Sequence, residues 1–395
     1  METNLHERLK DIIPDNIELT TQKKEGILSA AHDRFVQQQQ PVKKHGWKPV
    51  VVGVSALALT ILLSYPFIED GIEQLIVSQV TDRTYEEISI PGRSTETLFT
   101  AIFDDATNSF FYYEGGNIYS YAIDTQIEKV EMKGESPISK ILVNENWLVW
   151  MGDGKEEDVF VKNRETLEVK EFSTSSFIDL DDDILLTDKN DTKKGQTIYS
   201  LTNLRTNEVK QYKQFFDNSS VSQPIYQDNQ LLIPEVVKKD GEEVVRFTLY
   251  DVGTEKEKQY ELPFKGTLDI ALTDQKIYAS FKNGKSLETG YVDLVDGSYH
   301  KIDGKKAFSL AVYKNKLALN EFVPNEDKSR FKLYKVEDGS LSSLPDFKDV
   351  QLVLFNPRFT KEGTLQLFGV NEKYILEDGT LEERDGAVKL YLQRF

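Results

Sequence analysis

The predicted fold class is mainly β, and three observations carry that prediction. From about Glu96 to the C-terminus the apolar pattern has period two. Within that region one strand–turn–strand phrase recurs seven times, at spacings of roughly 38 to 49 residues. Ahead of it lies a stretch without charge, Pro49 to Ile68. Together they predict a β-propeller of about seven blades, preceded by a single transmembrane α-helix and a short helical cytoplasmic segment.

The division in chain order is 1–48 inside, 49–68 in the membrane, 69–95 stalk and first strand, and 96–395 propeller. In the inside piece, Leu5, Leu9, Ile12 and Ile13 recur at helical spacing until Pro14 stops the helix. A second helix begins near Thr20 or Thr21, whose hydroxyls suit an N-cap. It presents Ile27, Leu28, Ala31 and Phe35 on one stripe. Two short helices cannot bury a core of their own, so the stripe calls for a partner: another protein, or the membrane surface. A weakly helical tail is the plain alternative. Gln37 to Gln40 and Pro41 then lead to the span as a polar linker.

Roughly 20 apolar residues are what a helix needs to cross about 30 Å of hydrocarbon. Lys43, Lys44 and Lys48 precede the stretch, whereas Glu69 and Asp70 follow it. Basic residues mark the cytoplasmic flank, which places the N-terminus inside and the C-terminal mass outside, at the cell membrane. Trp47 and Tyr65 sit near the two ends, at headgroup level. A cleaved signal peptide would begin near residue 1 and exit at small residues, and a buried core helix would show a polar face. Neither pattern is present. Beyond the stalk, Glu87 to Pro91 alternates as a first strand.

The repeated phrase starts at Ile118, Phe160, Ile198, Phe247, Tyr291, Phe331 and Tyr374. Asp-Gly or Asn at several of its turns supplies the positive φ of tight hairpins. A further strand-like run precedes each copy, such as Trp147-Leu-Val-Trp or Ile277-Tyr-Ala-Ser-Phe, and most units add another upstream, such as Leu268 to Leu272. Three or four strands in about 40 residues, repeated, make blades, and stacking them in a ring buries both faces of each. The tail Val388 to Leu392 alternates and is placed in the first blade, closing the circle. An open β array or sandwich, or a ring of six or eight blades, is the competing arrangement.

Net charge is −18 over 395 residues, nearly all of it beyond residue 48. An acidic ectodomain argues against nucleic acid as a partner. With no cysteine there is no disulfide, thiol nucleophile or Cys-based zinc site. Of four histidines only His300 lies outside, poor material for a catalytic triad or a zinc centre. The run Asp179, Asp181, Asp182, Asp183, Asp188, Asn190 and Asp191 has oxygen ligands of the calcium type. It lacks the glycine and the closing glutamate of an EF-hand, and reads more plainly as a solvated loop. No glycine-rich phosphate loop or cofactor motif appears.

A cytoplasmic segment, one membrane helix and a large outer domain resemble the layout of membrane-bound anti-sigma factors of Bacillus-type bacteria. The phrase Thr20 to Phe35 is similar to the helix those proteins carry before the span. The zinc-binding His/Cys pattern of one anti-sigma subgroup is absent. The ectodomain separately resembles bacterial propellers of the TolB or quinoprotein-like type. The resemblance implies a sensor or interaction protein that holds a cytoplasmic partner such as a sigma factor through Ile27, Leu28, Ala31 and Phe35. Its propeller would take an extracytoplasmic ligand or protein. An anchored propeller enzyme, hydrolase or lyase, and a structural envelope adaptor are the alternatives. Convergent carboxylates in the channel would favour the enzyme, and mixed, well-paired side chains would favour binding.

Overall fold

The computed structural model describes residues 85–395, except 135, 153–157, 175, 192–195, 216–220, 285, 324–327, 338–339, 346, 348 and 376–386. The cytoplasmic segment, the proposed span at 49–68 and the stalk as far as residue 84 lie outside the described residues. Among the described residues no helix is long and apolar enough to cross a membrane.

Seven four-stranded antiparallel sheets form the blades of a propeller. The chain opens with β1 (Glu86–Ile88) and a five-residue helix, α1 (Thr95–Phe99), capped by the Ser94 hydroxyl. Blade 1 is β2 (Ile102–Asp104), β3 (Ser109–Glu114), β4 (Asn117–Ala122) and β5 (Ile127–Lys133). Blade 2 is β6 (Ile138–Val143), β7 (Trp147–Gly152), β8 (Asp158–Asn163) and β9 (Val169–Ser173). Blade 3 is β10 (Ser176–Asp181), β11 (Ile184–Asp191), β12 (Gln196–Asn203) and β13 (Val209–Phe215). Blade 4 is β14 (Ile225–Gln227), β15 (Gln230–Lys239), β16 (Glu242–Asp251) and β17 (Lys256–Leu262). Blade 5 is β18 (Gly266–Leu272), β19 (Lys276–Asn283), β20 (Ser286–Asp293) and β21 (Tyr299–Lys301). Blade 6 is β22 (Ala307–Tyr313), β23 (Lys316–Val323), β24 (Lys328–Glu337) and β25 (Ser340–Ser343). Blade 7 is β26 (Val353–Phe359), β27 (Leu365–Val370) and β28 (Val388–Gln393), with β1 as its fourth strand.

That last sheet departs from the sequence expectation in two ways. Tyr374 ends a short 3-10 turn, Glu372–Tyr374, rather than opening a strand. The tail strand β28 belongs to the last blade, between β27 and β1, and not to the first. The reason is burial. Val388, Leu390 and Leu392 are almost fully buried, as is Tyr391 on the opposite face, which suits a strand paired along both edges. Closure therefore joins the two ends of the domain, with Glu86 opposite Leu392 and Ile88 opposite Leu390. Lys389 and Tyr391 both bind Glu87 from across that pair, at 2.6 and 3.0 Å.

The core is divided by blade interface. Among the described residues seven apolar clusters occur, each built from two consecutive blades. Strand alternation explains this. In β19, Ile277, Ala279 and Phe281 face blade 4 while Tyr278 faces blade 6, so both faces are buried and the strand reads as a continuous apolar run. The cluster between blades 7 and 1 contains Ile88, Leu98, Val388, Leu390 and Leu392, so closing the ring completes the last interface.

Candidate functional site

The first strand of each blade lies innermost, since β10 touches β14, β18 touches β22, and β22 touches β26 in neighbouring sheets. The fourth strands carry the exposed outer edge. The seven innermost strands thus wall a central channel. Five of them carry an irregularity in their pairing with the second strand. An extra residue breaks the register between Ile138 and Lys140, Phe177 and Asp179, Thr267 and Asp269, and Ala307 and Ser309. A wider irregularity separates Phe355 from Arg358. A β-bulge re-aims side chains and bends the strand. The residue after the bulge is Lys140, Asp179, Asp269, Ser309 and Arg358 in blades 2, 3, 5, 6 and 7. Counted back from the first-to-second strand turn, Lys140, Asp269 and Ser309 share one level, and Asp179 and Arg358 lie two residues nearer the turn; two of the five are acidic and two basic.

Most of these residues are committed to the scaffold. Asp179 accepts from its own neighbour, Leu180 N, at 2.9 Å, and from Tyr226 N on the innermost strand of blade 4 at 3.1 Å. Asp269 repeats the arrangement one pair of blades along, with Ile270 N at 3.0 Å and Leu310 N of blade 6 at 2.8 Å. Lys140 Nζ donates to the Phe177 carbonyl of blade 3 at 2.7 Å. Each is an inter-blade staple. Second strands add further staples. Gln366 donates to Ala101 O at 2.7 Å and accepts from Phe103 N at 3.0 Å. The Asn320 amide, oriented to satisfy both neighbours, does the same with Leu354 O and Asn356 N at 3.2 Å.

Arg358 differs. It is solvent-exposed and, among the described residues, makes no hydrogen bond or ion pair, although Asp269 and Lys140 are near enough to act on its charge. Burial among the blades pushes its basicity below the usual arginine range, opposed by the Asp269 carboxylate. Burial likewise lowers Lys140, against the pull of Asp179 and Asp188. It raises Asp179, and raises Asp269 to about 6 despite the two N–H groups and Arg358.

The channel's two ends differ. At the end of the first-to-second strand turns, Lys361 of blade 7 reaches Asp181 at 3.2 Å and Asp182 at 2.6 Å, both in blade 3. Blades 3 and 7 are as far apart as two members of a seven-fold ring can be, so this bridge crosses the axis. Around it, Arg164 of blade 2 binds Asp104 of blade 1 at 2.8 Å, and Trp147 Nε1 of blade 2 binds Asp183 of blade 3 at 2.8 Å. At the opposite end, the bulged residues Leu268 and Phe308 are 39% and 44% exposed.

The sequence-predicted residues fall elsewhere. Ile27, Leu28, Ala31 and Phe35, and the flanking Lys43, Lys44, Trp47, Lys48 and Tyr65, lie outside the described residues. His300 sits on the exposed outer strand of blade 5, stacked on Tyr291 at 4.9 Å. Ser298 Oγ contacts its Nε2 at 2.7 Å, but Asp296 binds that serine rather than the imidazole, an order that orients no base. The acidic run is not a solvated loop, as its composition suggested. It forms β10, a tight turn and β11, and its carboxylates serve several blades rather than one cation. Asp181 accepts from Asp228 N of blade 4 at 3.0 Å, and Asp183 pairs with Arg205 at 2.5 Å. Lys140, Asp269, Arg358 and Lys361 were not visible as a group in the sequence. One signal was there: Ile178-Asp-Leu and Leu268-Asp-Ile, an acid between apolar residues in the first strand of a unit, recur.

No family model and no curated protein matches the chain. Solved structures do share its fold. A chain of the mitotic checkpoint complex is similar at 10% identity and a TM-score of 0.50, covering 90% of this chain and 97% of that one. The β-propeller domain of the trilobed protease from Pyrococcus furiosus is 12% identical with a TM-score of 0.49, covering 70% of this chain and 93% of the other. BamB from Moraxella catarrhalis is 10% identical with a TM-score of 0.44, covering 74% and 83%. Of these, the first bears on the fold alone.

Proposed function

We propose that this chain is a membrane-anchored binding protein of the cell envelope, of the anti-sigma-factor type. Residues 49–68 span the membrane, the propeller lies outside as the sensing domain, and the stripe Ile27, Leu28, Ala31 and Phe35 holds a cytoplasmic protein such as a sigma factor. The observation that carries the binding reading over catalysis is the pairing of the charged residues on the innermost strands. The carboxylates of Asp179 and Asp269 each accept two backbone N–H groups, and Lys140 is tied to a carbonyl, so these groups hold blades together instead of converging on a reacting atom. The uncharged span and its basic inner flank support the anchor.

The test is capture of the tagged full chain from native membranes. A sigma factor should co-purify, and Leu28→Asp with Phe35→Asp should release it while leaving the propeller's thermal melt unchanged. Were deletion of 20–40 to alter neither the captured proteins nor sigma-dependent transcription, the docking role would be lost.

A further inference from the structure

We propose that the first-to-second strand turn of blade 7, residues 360–364, is a strap across one mouth of the channel, held shut by a proton shared between Glu362 and Asp105 of blade 1. The inference goes beyond the docking role and stands without it. Three contacts place the strap. Lys361 Nζ crosses the axis to Asp181 and Asp182 of blade 3, at 3.2 and 2.6 Å. Gly363, at φ +97°, lies close against the Tyr313 ring of blade 6. Thr364 Oγ1 donates to Asp105 Oδ1 of blade 1 at 2.6 Å. The turn thus touches three other blades around the ring.

The proton follows from the oxygen that is left over. Asp105 Oδ2 is buried and has no hydrogen-bond donor among the described residues. A buried acceptor without a donor is costly. The further group within hydrogen-bonding reach of this carboxyl is Glu362, itself only an acceptor when ionised. Two such carboxylates repel, whereas one proton between them turns the contact into a short, charge-assisted bond. Burial comes first in raising Glu362 above the ordinary glutamate range, and Asp105 and Asp104 add to the rise against its own backbone N–H. The charges around the pair are already engaged. Asp104 is bound by Arg164 of blade 2 at 2.8 Å and by the Thr107 hydroxyl at 2.7 Å. Lys361 is held by blade 3, and blade 6 offers Tyr313 with Lys314 over its ring at 4.8 Å.

The direction of the shift fixes the sign. A carboxyl raised in the folded chain contributes its bond fully below the ordinary glutamate range and loses it as pH rises, when the proton leaves to solvent. Glu362 is then pushed from Asp105, and the adjoining Lys361 is carried with it. Lys361 is 52% exposed, and a bridge from so exposed a group contributes too little to hold the turn alone. The strap is shut in acid and released toward neutral pH.

The experiment is hydrogen–deuterium exchange of the full chain in lipid nanodiscs from about pH 5 to 8, with intrinsic exchange rates divided out. Exchange in the peptide covering 359–364 should rise about fivefold across that range in the wild type. The equivalent turn of blade 5, residues 273–276, should stay level. In Glu362→Gln the amide donates to Asp105 at every pH, so 359–364 should stay slow and its profile flat. Asp105→Asn, whose amide donates to Glu362, should do the same and serves if the first variant misfolds. A flat profile in the wild type, a rise of wild-type size in both variants, or an equal rise in the blade 5 turn would overturn the inference.

Discussion

Asp269 shows how one residue can serve the scaffold and leave a mark on pH dependence. Its carboxyl is raised from 3.8 to about 6, chiefly by burial. The folded chain therefore holds a proton that the unfolded chain has released between about pH 4 and 6. Stability then falls as pH rises through that window and levels off above it. Asp179 is raised for the same reason and acts in the same direction. Burial also acts on Glu128, yet hydrogen bonds from Arg93 and Tyr112 hold it below the usual range, so its contribution is lost only on more acidic conditions. Urea melts across pH 4 to 7 should show wild-type stability declining from 4 toward 6, with a flatter line for Asp269→Asn. That variant should also lose about 1–3 kcal/mol at pH 7, because its amide turns a donor toward a backbone N–H. An unchanged slope in the variant would remove Asp269 as its source. At this scale the sequence was partly readable. The Asp between apolar neighbours is visible, but the second of the two N–H groups that occupy it, Leu310 N, belongs to a strand about 40 residues away.

Among the elements, the turns and bulges decide where side chains point. The turn between third and fourth strands uses positive φ at one repeated place: Gln126, Leu167, Asn207, Glu255 and Gly297. Only Asn207 and Gly297 are residues that favour it. The others are held there by the turn around them, with Asn163 Oδ1 accepting from Glu165 N and Thr166 N, and Asp251 Oδ1 from Thr254 N. The first-to-second strand turn of blade 7, residues 360–364, is where sequence and packing meet most tightly. Gly363 has φ +97°, and a Cβ there would lie 2.2 Å from the Tyr313 ring of blade 6. Gly363→Ala should therefore cost about 2 kcal/mol or more and shift the turn that carries Lys361. Denaturant melts would measure the cost. A variant as stable as wild type would show that the turn and Tyr313 move freely. The bulges themselves were hidden, because one extra residue in a strand looks in sequence like a slip of the period-two pattern.

For the whole molecule the decisive contact is the closure of the ring. Blade 7 takes three strands from the C-terminal end and one, β1, from the N-terminal end of the domain. Leu390 is fully buried between them and packs with Ile88 and Leu98 in the cluster between blades 7 and 1. Leu390→Ala should cost about 2–5 kcal/mol. Hydrogen exchange should show the loss spreading to β1, since that strand's pairing depends on β28. Protection of Glu86–Ile88 unchanged in the variant would refute closure as the coupling. Arg93 ties down the connection just beyond β1. Its guanidinium lies 4.2 Å from the Tyr119 ring of blade 1 and donates from Nε to Glu128 at 2.9 Å.

Repetition, blade number and the outer turns could be read from this sequence because they depend on local pattern: period two, a phrase of fixed length, and turn residues at its centre. Charge and composition bounded the chemistry in the same way, and the uncharged span with its basic flank defined a proposed anchor. Three things were left to tertiary structure. The seventh phrase opens at Tyr374, which ends a 3-10 turn, and the phrase from residue 376 on lies outside the described residues. The tail joined the last blade with β1, since pairing between residues some 300 apart leaves no trace in local periodicity. The charged lining emerged only when bulged strands of separate blades were brought around one axis. Lys140, Asp179, Asp269 and Arg358 lie in four different blades, and what distinguishes Arg358 is the partner it lacks among its neighbours in space, a property no stretch of sequence contains.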